Sequence, residues 1–280
     1  RGVTILLDVL SALQLLVKTA GRYQTEPSVI PLLSSNQSSS ILPMVLHTAT
    51  IWHTWSRLTD IIRGTVQEVR LEDRILNAER TDDLKAFIGA MHVVASATVP
   101  RVIAAIDPGQ TKTLIDVGGG SGSYTIAFLN AVPDLKATLF DLPPVIEMAR
   151  ERLEKVGLQD RVTLIPGNFY KDELPSGHDL ALLSAIIHQN SLEQNLELYQ
   201  KVFQSLNSGG RIVIRDYVMD PDRTLPVEGA IFAVNMLANT PGGGTWTYGE
   251  IEEGLTKAGF NRVRLLKTEN MFSLVEAFKP

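Results

Sequence analysis

Residues 111–123 read TKTLIDVGGGSGS, and this stretch decides the fold. Thr113 to Val117 is a short apolar run carrying one acid, Asp116. Glycines follow at alternate positions, Gly118, Gly120 and Gly122, and SYTIAFLNAV after them has a helical pattern. A strand that runs into a glycine loop and then a helix is the opening unit of an open parallel sheet. The alternation repeats downstream. LKATLFD reads as a strand and PPVIEMARERLEKVG as a helix with prolines in its first turn. RVTLIPGNFY, HDLALLSAII and GGRIVIRDYV read as strands, with the helix SLEQNLELYQKVFQSLN between the last two and TYGEIEEGLTKAG after them. The pattern predicts an α/β fold, a mostly parallel sheet with helices on both faces. FNRVRLLK and FSLVEAFK close the chain. So short a connection permits a hairpin but no parallel crossover, so the last strand is expected to be antiparallel.

Upstream of residue 111 the pattern is helical. Val3, Leu6, Leu7, Leu10 and Leu13 make one apolar face, which predicts a helix over 1–17. Asp8, Gln14 and Lys18 interrupt residues 1–20, which fall short of the roughly 20 apolar residues of a membrane span. Gly21, Tyr23 and Thr25 suggest a turn or ribbon. Pro31 and a serine cluster mark 28–40 as a loop. Residues 42 to about 65, with Trp52 and Trp55, and residues 82–106 read as helices. The division expected is a helical region over 1–85 and a ligand-binding domain over 86–280. The first residue is Arg1, which suggests a piece of a longer chain.

The chain has 280 residues, 44 % of them apolar, enough for a sizeable core. Lys and Arg number 26 against 31 Asp and Glu, a net charge of −5 without basic runs. That argues against nucleic acid or an anionic membrane as partner. With no cysteine, disulfides, thiolate metal sites and a cysteine nucleophile are excluded. No H-E-x-x-H, acidic metal cluster or Walker loop is present, so neither a catalytic metal nor ATP is expected.

The glycine spacing is G-x-G-x-G; Ser123 stands where a dinucleotide loop has its third glycine. The loop is either a cradle for a nucleotide or a plain tight turn. Asp141 ends the next strand, where an acid can accept both hydroxyls of a ribose, or cap the helix that starts at Pro143. Its position and spacing favour the ribose. Of five histidines, His188 follows a strand at its carboxyl end, on the ligand side of the sheet, and is a base candidate or a strand-end residue. His178 lies at the opposite end and reads as structural. His47, His53 and His92 sit on helical segments as core or surface residues, with His92, beside Met91, within reach of a substrate.

LIDVGGGSG, FDLPPVIEMA, PGNFY, IIHQNS and NTPGGGTWTYGEIEEGLTKAGF together resemble the S-adenosylmethionine-dependent O-methyltransferases. The resemblance is to the metal-independent, homodimeric branch that holds plant caffeate and flavonoid enzymes, acetylserotonin methyltransferase and bacterial natural-product enzymes. RGVTILLDVLSALQLL and GRYQTEP resemble the last helix and wing of that family's winged-helix dimerisation domain. The resemblance implies a Rossmann-like seven-stranded sheet with an antiparallel last strand. It also implies a cytoplasmic homodimer, S-adenosyl-L-methionine as methyl donor with S-adenosyl-L-homocysteine as product, and a small aromatic or polyketide-like acceptor. By motif position, Asp116, Gly118, Gly120 and Gly122 would line the methionine part of the cofactor, and Asp141 with Leu142 the ribose. Asn168 and Phe169 would flank the adenine, Asn168 standing in for an aspartate and taking the amino group through its carbonyl oxygen. Ser184 replaces a lysine of the plant members. His188 and Ser191 keep the family's H-D-W-S pattern as H-Q-N-S, with His188 the general base. Asp216 stands in place of one orienting glutamate, and Thr245 replaces the other. Met91, Asn235, Met236 and Trp246 are pocket candidates, set against the plainer reading of a Met or Trp on a helix face as core. The altered H-Q-N-S and Thr245 keep two alternatives open. One is a relative with other chemistry (C-methylation, decarboxylation or hydroxylation); the other is a degenerate cofactor-binding homodimer. Ser123 disfavours a nicotinamide-dependent dehydrogenase.

Overall fold

A computed structural model of the chain describes residues 1–34, 37, 39–66, 71–76, 81–269 and 272–280. In chain order the elements are α1 (Gly2–Ala12), β1 (Leu16–Thr19), β2 (Arg22–Thr25), α2 (Ile30–Leu33), α3 (Leu42–Trp55), α4 (Leu58–Ile62), α5 (Leu71–Leu76) and α6 (Thr81–Ile106). There follow β3 (Thr113–Val117), α7 (Ser123–Ala131), β4 (Lys136–Asp141), α8 (Pro143–Lys155), β5 (Val162–Pro166), β6 (His178–Ser184), α9 (Leu192–Ser205) and β7 (Leu206–Asp216). The chain closes with β8 (Val218–Met219), α10 (Val227–Asn239), β9 (Trp246–Thr247), α11 (Tyr248–Lys257), β10 (Asn261–Glu269) and β11 (Phe272–Phe278).

The main sheet has seven strands in the order β10-β11-β7-β6-β3-β4-β5. β3 pairs in parallel with both β4 and β6, Val117 lying opposite Phe140 and Leu183. β11 is antiparallel to β7 and β10, as the short connection requires. Central strands such as Thr113–Val117 are buried on both faces, which is why they read as near-continuous apolar runs rather than alternating ones, Asp116 excepted. On one face Val102, Ile106, Phe128 and Leu129 from α6 and α7 pack on Leu114, Leu180 and Val213. On the other, Leu198, Val202, Ile251 and Leu255 from α9 and α11 pack on Ile115, Ala181 and Ile212. Capping boxes start both α9, with Ser191 and Gln194, and α11, with Thr247 and Glu250, so these helices begin where their sequences say. Strand order reverses at β3 and β6, and an open α/β sheet places its ligand crevice at that switch point.

Several boundaries differ from the sequence reading. The first helix stops at Ala12, and Leu16–Thr19 forms a strand paired with Arg22–Thr25. Gln14 turns the chain at φ 61°, and Asp8 accepts hydrogen bonds from Lys18 Nζ (2.6 Å) and Tyr23 Oη (2.7 Å), which clips the hairpin to the helix. The loop read over 28–40 contains the one-turn α2; residues 35, 36 and 38 of it lie outside the described residues. β5 stops at Pro166, whose missing N–H cannot extend the ladder. β6 stops at Ser184, because Ala185 takes φ 59°. α10 carries no signal that the sequence reading used. α6 runs unbroken through residue 85. By length and composition α6 could cross a bilayer; here Ala90, Val102 and Ile106 are buried, and its Thr98 bonds the hydroxyl of Tyr124 on α7 at 3.0 Å.

Candidate active site

A cavity of about 920 Å³ opens at the carboxyl ends of β3, β4, β6 and β7, roofed by α3, α6 and α10. That volume is at the upper end of the usual range for a ligand site. Its floor is the glycine loop. Gly118 sits at φ +69°, and a Cβ there would stand 2.4 Å from Ile186 Cδ1, so no side chain fits. Gly120 turns its N–H to Asp141 Oδ2 at 2.8 Å, while Asp141 Oδ1 accepts from Leu142 N at 2.7 Å. Burial pushes the Asp141 carboxyl up to about 6, partly offset by those two N–H donors. Asp116 is buried too and pushed up to about 6 by it; Thr125 Oγ1 donates to its Oδ2 at 2.6 Å, which pins α7 to the strand end. At the start of α7, Arg152 donates to Ser121 Oγ (3.0 Å) and Ser123 Oγ (3.2 Å) and lies 3.2 Å from His92 Nε2. Burial, and then Arg152, hold the His92 imidazole down at about 4, so it is neutral.

At the far wall, His188 Nδ1 lies 2.8 Å from Asp216 Oδ1 and 3.0 Å from Oδ2. A carboxylate only accepts, so Nδ1 carries the proton and donates, and the lone pair of a neutral imidazole is left on Nε2. Asp216 Oδ1 also accepts from Tyr217 N at 2.8 Å, which fixes the carboxylate. The ring of Phe232 meets the His188 ring edge-on at 4.8 Å, and Tyr217 packs on Phe232 at 4.9 Å. The acid and base come from the ends of adjacent strands, β7 and β6, 28 positions apart in sequence.

Of the residues singled out in the sequence, Asp116, Gly118, Gly120, Asp141, Leu142, Asn168, Phe169, Ser184, His188, Asp216, Met91, Asn235 and Met236 all line this cavity. Two expected residues do not line it. Gly122 caps α7 at φ 75°, a turn residue. Trp246 packs into the core, and its Nε1 donates to the Ile187 carbonyl at 2.9 Å, so it supports the His188 segment from behind. Asn168 has one side-chain atom paired within the protein and one without a partner. Its Oδ1 accepts from Tyr170 N at 2.9 Å, and the atom left without a partner is Nδ2, in a residue 8 % exposed. The amide thus offers a free donor beside the carbonyl oxygen. His47, read as core or surface, also lines the cavity, its ring 5.3 Å from Phe87. Trp55, Phe232 and Arg215 are wall residues the sequence did not yield. Trp55 Nε1 donates to Asn235 Oδ1 at 2.9 Å across 180 residues of sequence. His178 is structural as read, bonded between Ser205 and Thr138 at the other end of the sheet.

The residues fit an adenosine-based methyl donor. The loop admits close approach, Asp141 offers carboxylate lone pairs beyond its two N–H donors, and the orphaned Asn168 Nδ2 waits for an acceptor such as a ring nitrogen. Fold and site therefore define a Rossmann-like methyltransferase. The comparisons with known proteins agree. An O-methyltransferase domain model matches residues 70–261. The chain is 30 % identical to the 3-hydroxy-5-methyl-1-naphthoate 3-O-methyltransferase of Streptomyces sahachiroi, over 95 % of this chain and 78 % of that protein. It is 27 % identical to the tetracenomycin polyketide synthesis 8-O-methyl transferase of Streptomyces glaucescens, over 100 % of this chain and 83 % of that one. It superposes on the solved structure of human N-acetylserotonin methyltransferase in complex with S-adenosylmethionine with a TM-score of 0.81 at 26 % identity, covering 99 % of this chain and 83 % of the other. The chain belongs to the O-methyltransferase family and is an S-adenosylmethionine-dependent enzyme.

Proposed function

We propose that this enzyme methylates a hydroxyl of a small aromatic or polyketide-like molecule and that His188 takes the proton. The observation that carries the reading is the His188–Asp216 pair on the wall of a cavity that also holds the glycine loop. When bound, S-adenosylmethionine supplies a methyl on a cationic sulfur, open to displacement by oxygen. The protein's tasks are then to align the acceptor and to remove its proton. His188 Nε2 faces the second task. Asp216 is a positioning residue; it holds the imidazole tautomer and supports the charge that develops on it. Thr245 is buried and carries a hydroxyl, so it supplies no second acid. Among the described residues, Asp216 is the hydrogen-bond partner of the base. Phe87, Phe232, Trp55 and the flexible thioethers of Met44, Met91 and Met236 give walls suited to a flat ring. The names of the naphthoate and tetracenomycin relatives support the same acceptor class. Mass spectrometry of a panel of phenols and naphthols incubated with methyl-labelled S-adenosylmethionine tests the reading. One labelled oxygen-methyl product is the expected result, and label on carbon or on no panel member overturns it.

The same proposal makes the enzyme a cytoplasmic homodimer, with the region over 1–85 serving its two-fold contact. No residue of α1 is buried, and Val3 and Leu6 stand 70 % and 65 % exposed. Trp52 on α3 is 70 % exposed as well. Apolar faces of this size are rarely left to solvent. Light scattering is expected to give twice the chain mass, and Leu6→Glu together with Leu10→Glu to shift it toward the single chain. A single-chain mass for the parent protein overturns the proposal.

A further inference from the structure

We propose that Arg215 reads a carboxylate on the methyl acceptor. This inference rests on the reading of the cavity as a methyl-acceptor site and narrows the acceptor to acidic hydroxy-arenes. Arg215 ends β7 beside Asp216 and lines the cavity, yet it is only 6 % exposed. Its Nε has no hydrogen-bond partner, and among the described residues its guanidinium makes no hydrogen bond and no ion pair. The contact it does make is with the ring of Phe272, 5.2 Å from the guanidinium carbon. Neighbouring residues on a strand point to opposite faces. Val213 packs with α6 and α7, and Ile212 and Ile214 pack with α9 and α11. Arg215 follows Val213, while Asp216 follows Ile214 toward His188, so the adjacent acid does not neutralise it.

The arginines around it are all engaged. Arg101 pairs with Glu269, Arg211 and Arg264 with Glu276, and Arg223 with Glu250. Arg152 has its two serine hydroxyls. A guanidinium cannot shed its proton, and a buried one without a counter-charge destabilises the fold. A ligand that brings the missing anion removes that penalty. The planar fork above Phe272 suits a carboxylate held by two parallel N–H donors.

Position assigns the anion to the acceptor. β7 is two strands from β3, about 10 Å at the usual strand spacing, and next to the strand that carries His188. The amino-acid end of the cofactor, over the glycine loop, has Arg152 and the serines of α7 nearer to hand.

Calorimetry on the intact protein tests this in two stages. S-adenosylhomocysteine is first titrated into the parent, Arg215→Gln and Arg215→Lys. Protein saturated with it is then titrated with matched probes, 6-hydroxy-2-naphthoate against 2-naphthol and 3-hydroxybenzoate against phenol. The expected result is unchanged S-adenosylhomocysteine affinity in all three proteins. The parent should prefer the acidic probe of each pair at least about tenfold, Arg215→Gln should lose the preference and Arg215→Lys keep part of it. The melting temperature of unliganded Arg215→Met should equal or exceed that of the parent, because an unpaired buried charge has been removed. Equal binding within each pair, binding by no acidic probe, or a lower melting temperature overturns the inference. So does weakened S-adenosylhomocysteine binding in Arg215→Gln, which would assign Arg215 to the cofactor's own carboxylate. Failure of the parent to bind S-adenosylhomocysteine at all would instead overturn the reading of the cavity.

Discussion

His188→Ala is expected to lower the turnover number by about 100- to 10,000-fold, the range a positioned general base supplies. Affinity for S-adenosylhomocysteine should stay at the parent value, because on the proposed reading the imidazole serves the acceptor's proton and not the nucleotide. Asp216→Asn should lose less. An amide at 216 can present its oxygen to the Nδ1 proton or its NH₂ to an unprotonated Nδ1; the second arrangement reverses the tautomer and puts the proton on Nε2, where the lone pair is needed. The loss should therefore fall on kcat rather than on KM. Single-turnover rates with the acceptor found in the labelled panel measure this. A His188→Ala enzyme that turns over at the parent rate removes His188 from the chemistry. The acceptor would then lose its proton unaided.

Asp141→Ala is expected to weaken S-adenosylhomocysteine binding by about 1.5–3 kcal/mol, the scale for hydrogen bonds to a charged group, or roughly 10- to 150-fold. Part of that loss comes from the loop itself, since Gly120 and Leu142 lose the carboxylate that accepts their N–H groups. The pH dependence has a definite sign. Burial raises the Asp141 carboxyl from its ordinary value of 3.8 to about 6. Its contribution to folding is therefore complete below about pH 3.8 and is lost as pH rises through about 6. Two ribose hydroxyls donate to a carboxylate, so binding favours the ionised form. Affinity should rise with pH through about 6 and level off above it, with a proton released on binding. Asp141→Asn should give a flat profile. Calorimetry from pH 5 to 8 in buffers of different ionisation heat reads both affinity and proton release. A flat profile in the parent removes Asp141 from the cofactor site. Asp116 shares the upward shift, and Thr125 Oγ1 holds its carboxyl at 2.6 Å.

Much of this molecule is local and so was legible in the chain. Strands β3, β4 and β6 are near-continuous apolar runs, because both faces of a parallel sheet are covered. The glycine loop follows from one strand end, Asp141 from the next, and His188 from the third. α9 and α11 carry their own start signals, side chains that bond backbone groups three residues away. The position of each depends on neighbours in sequence, so spacing reveals it, while their roles are what the family resemblance implies.

Other features depend on what arrives from far along the chain. The apolar period over 1–17 is compatible with one long helix, yet a hairpin held by Asp8 ends that helix at Ala12. Trp246 looked like a pocket residue, until its indole found the Ile187 carbonyl behind the site. That Asn168 keeps an unpartnered NH₂ shows only once Tyr170 N has bonded its oxygen. Trp55 meets Asn235 only because α3 and α10 close over the same crevice. Arg215 reads in sequence as one more charge on a strand; only packing shows that it is buried and that its neighbour Asp216 belongs to the other face. By itself the sequence determined the sheet, the loop and the two strand-end residues, because periodicity and short-range hydrogen bonds encode them. Which side chains stand paired, which are left bare, and which wall of the cavity each one faces were decided by tertiary structure, because burial and partners exist only once distant elements have packed.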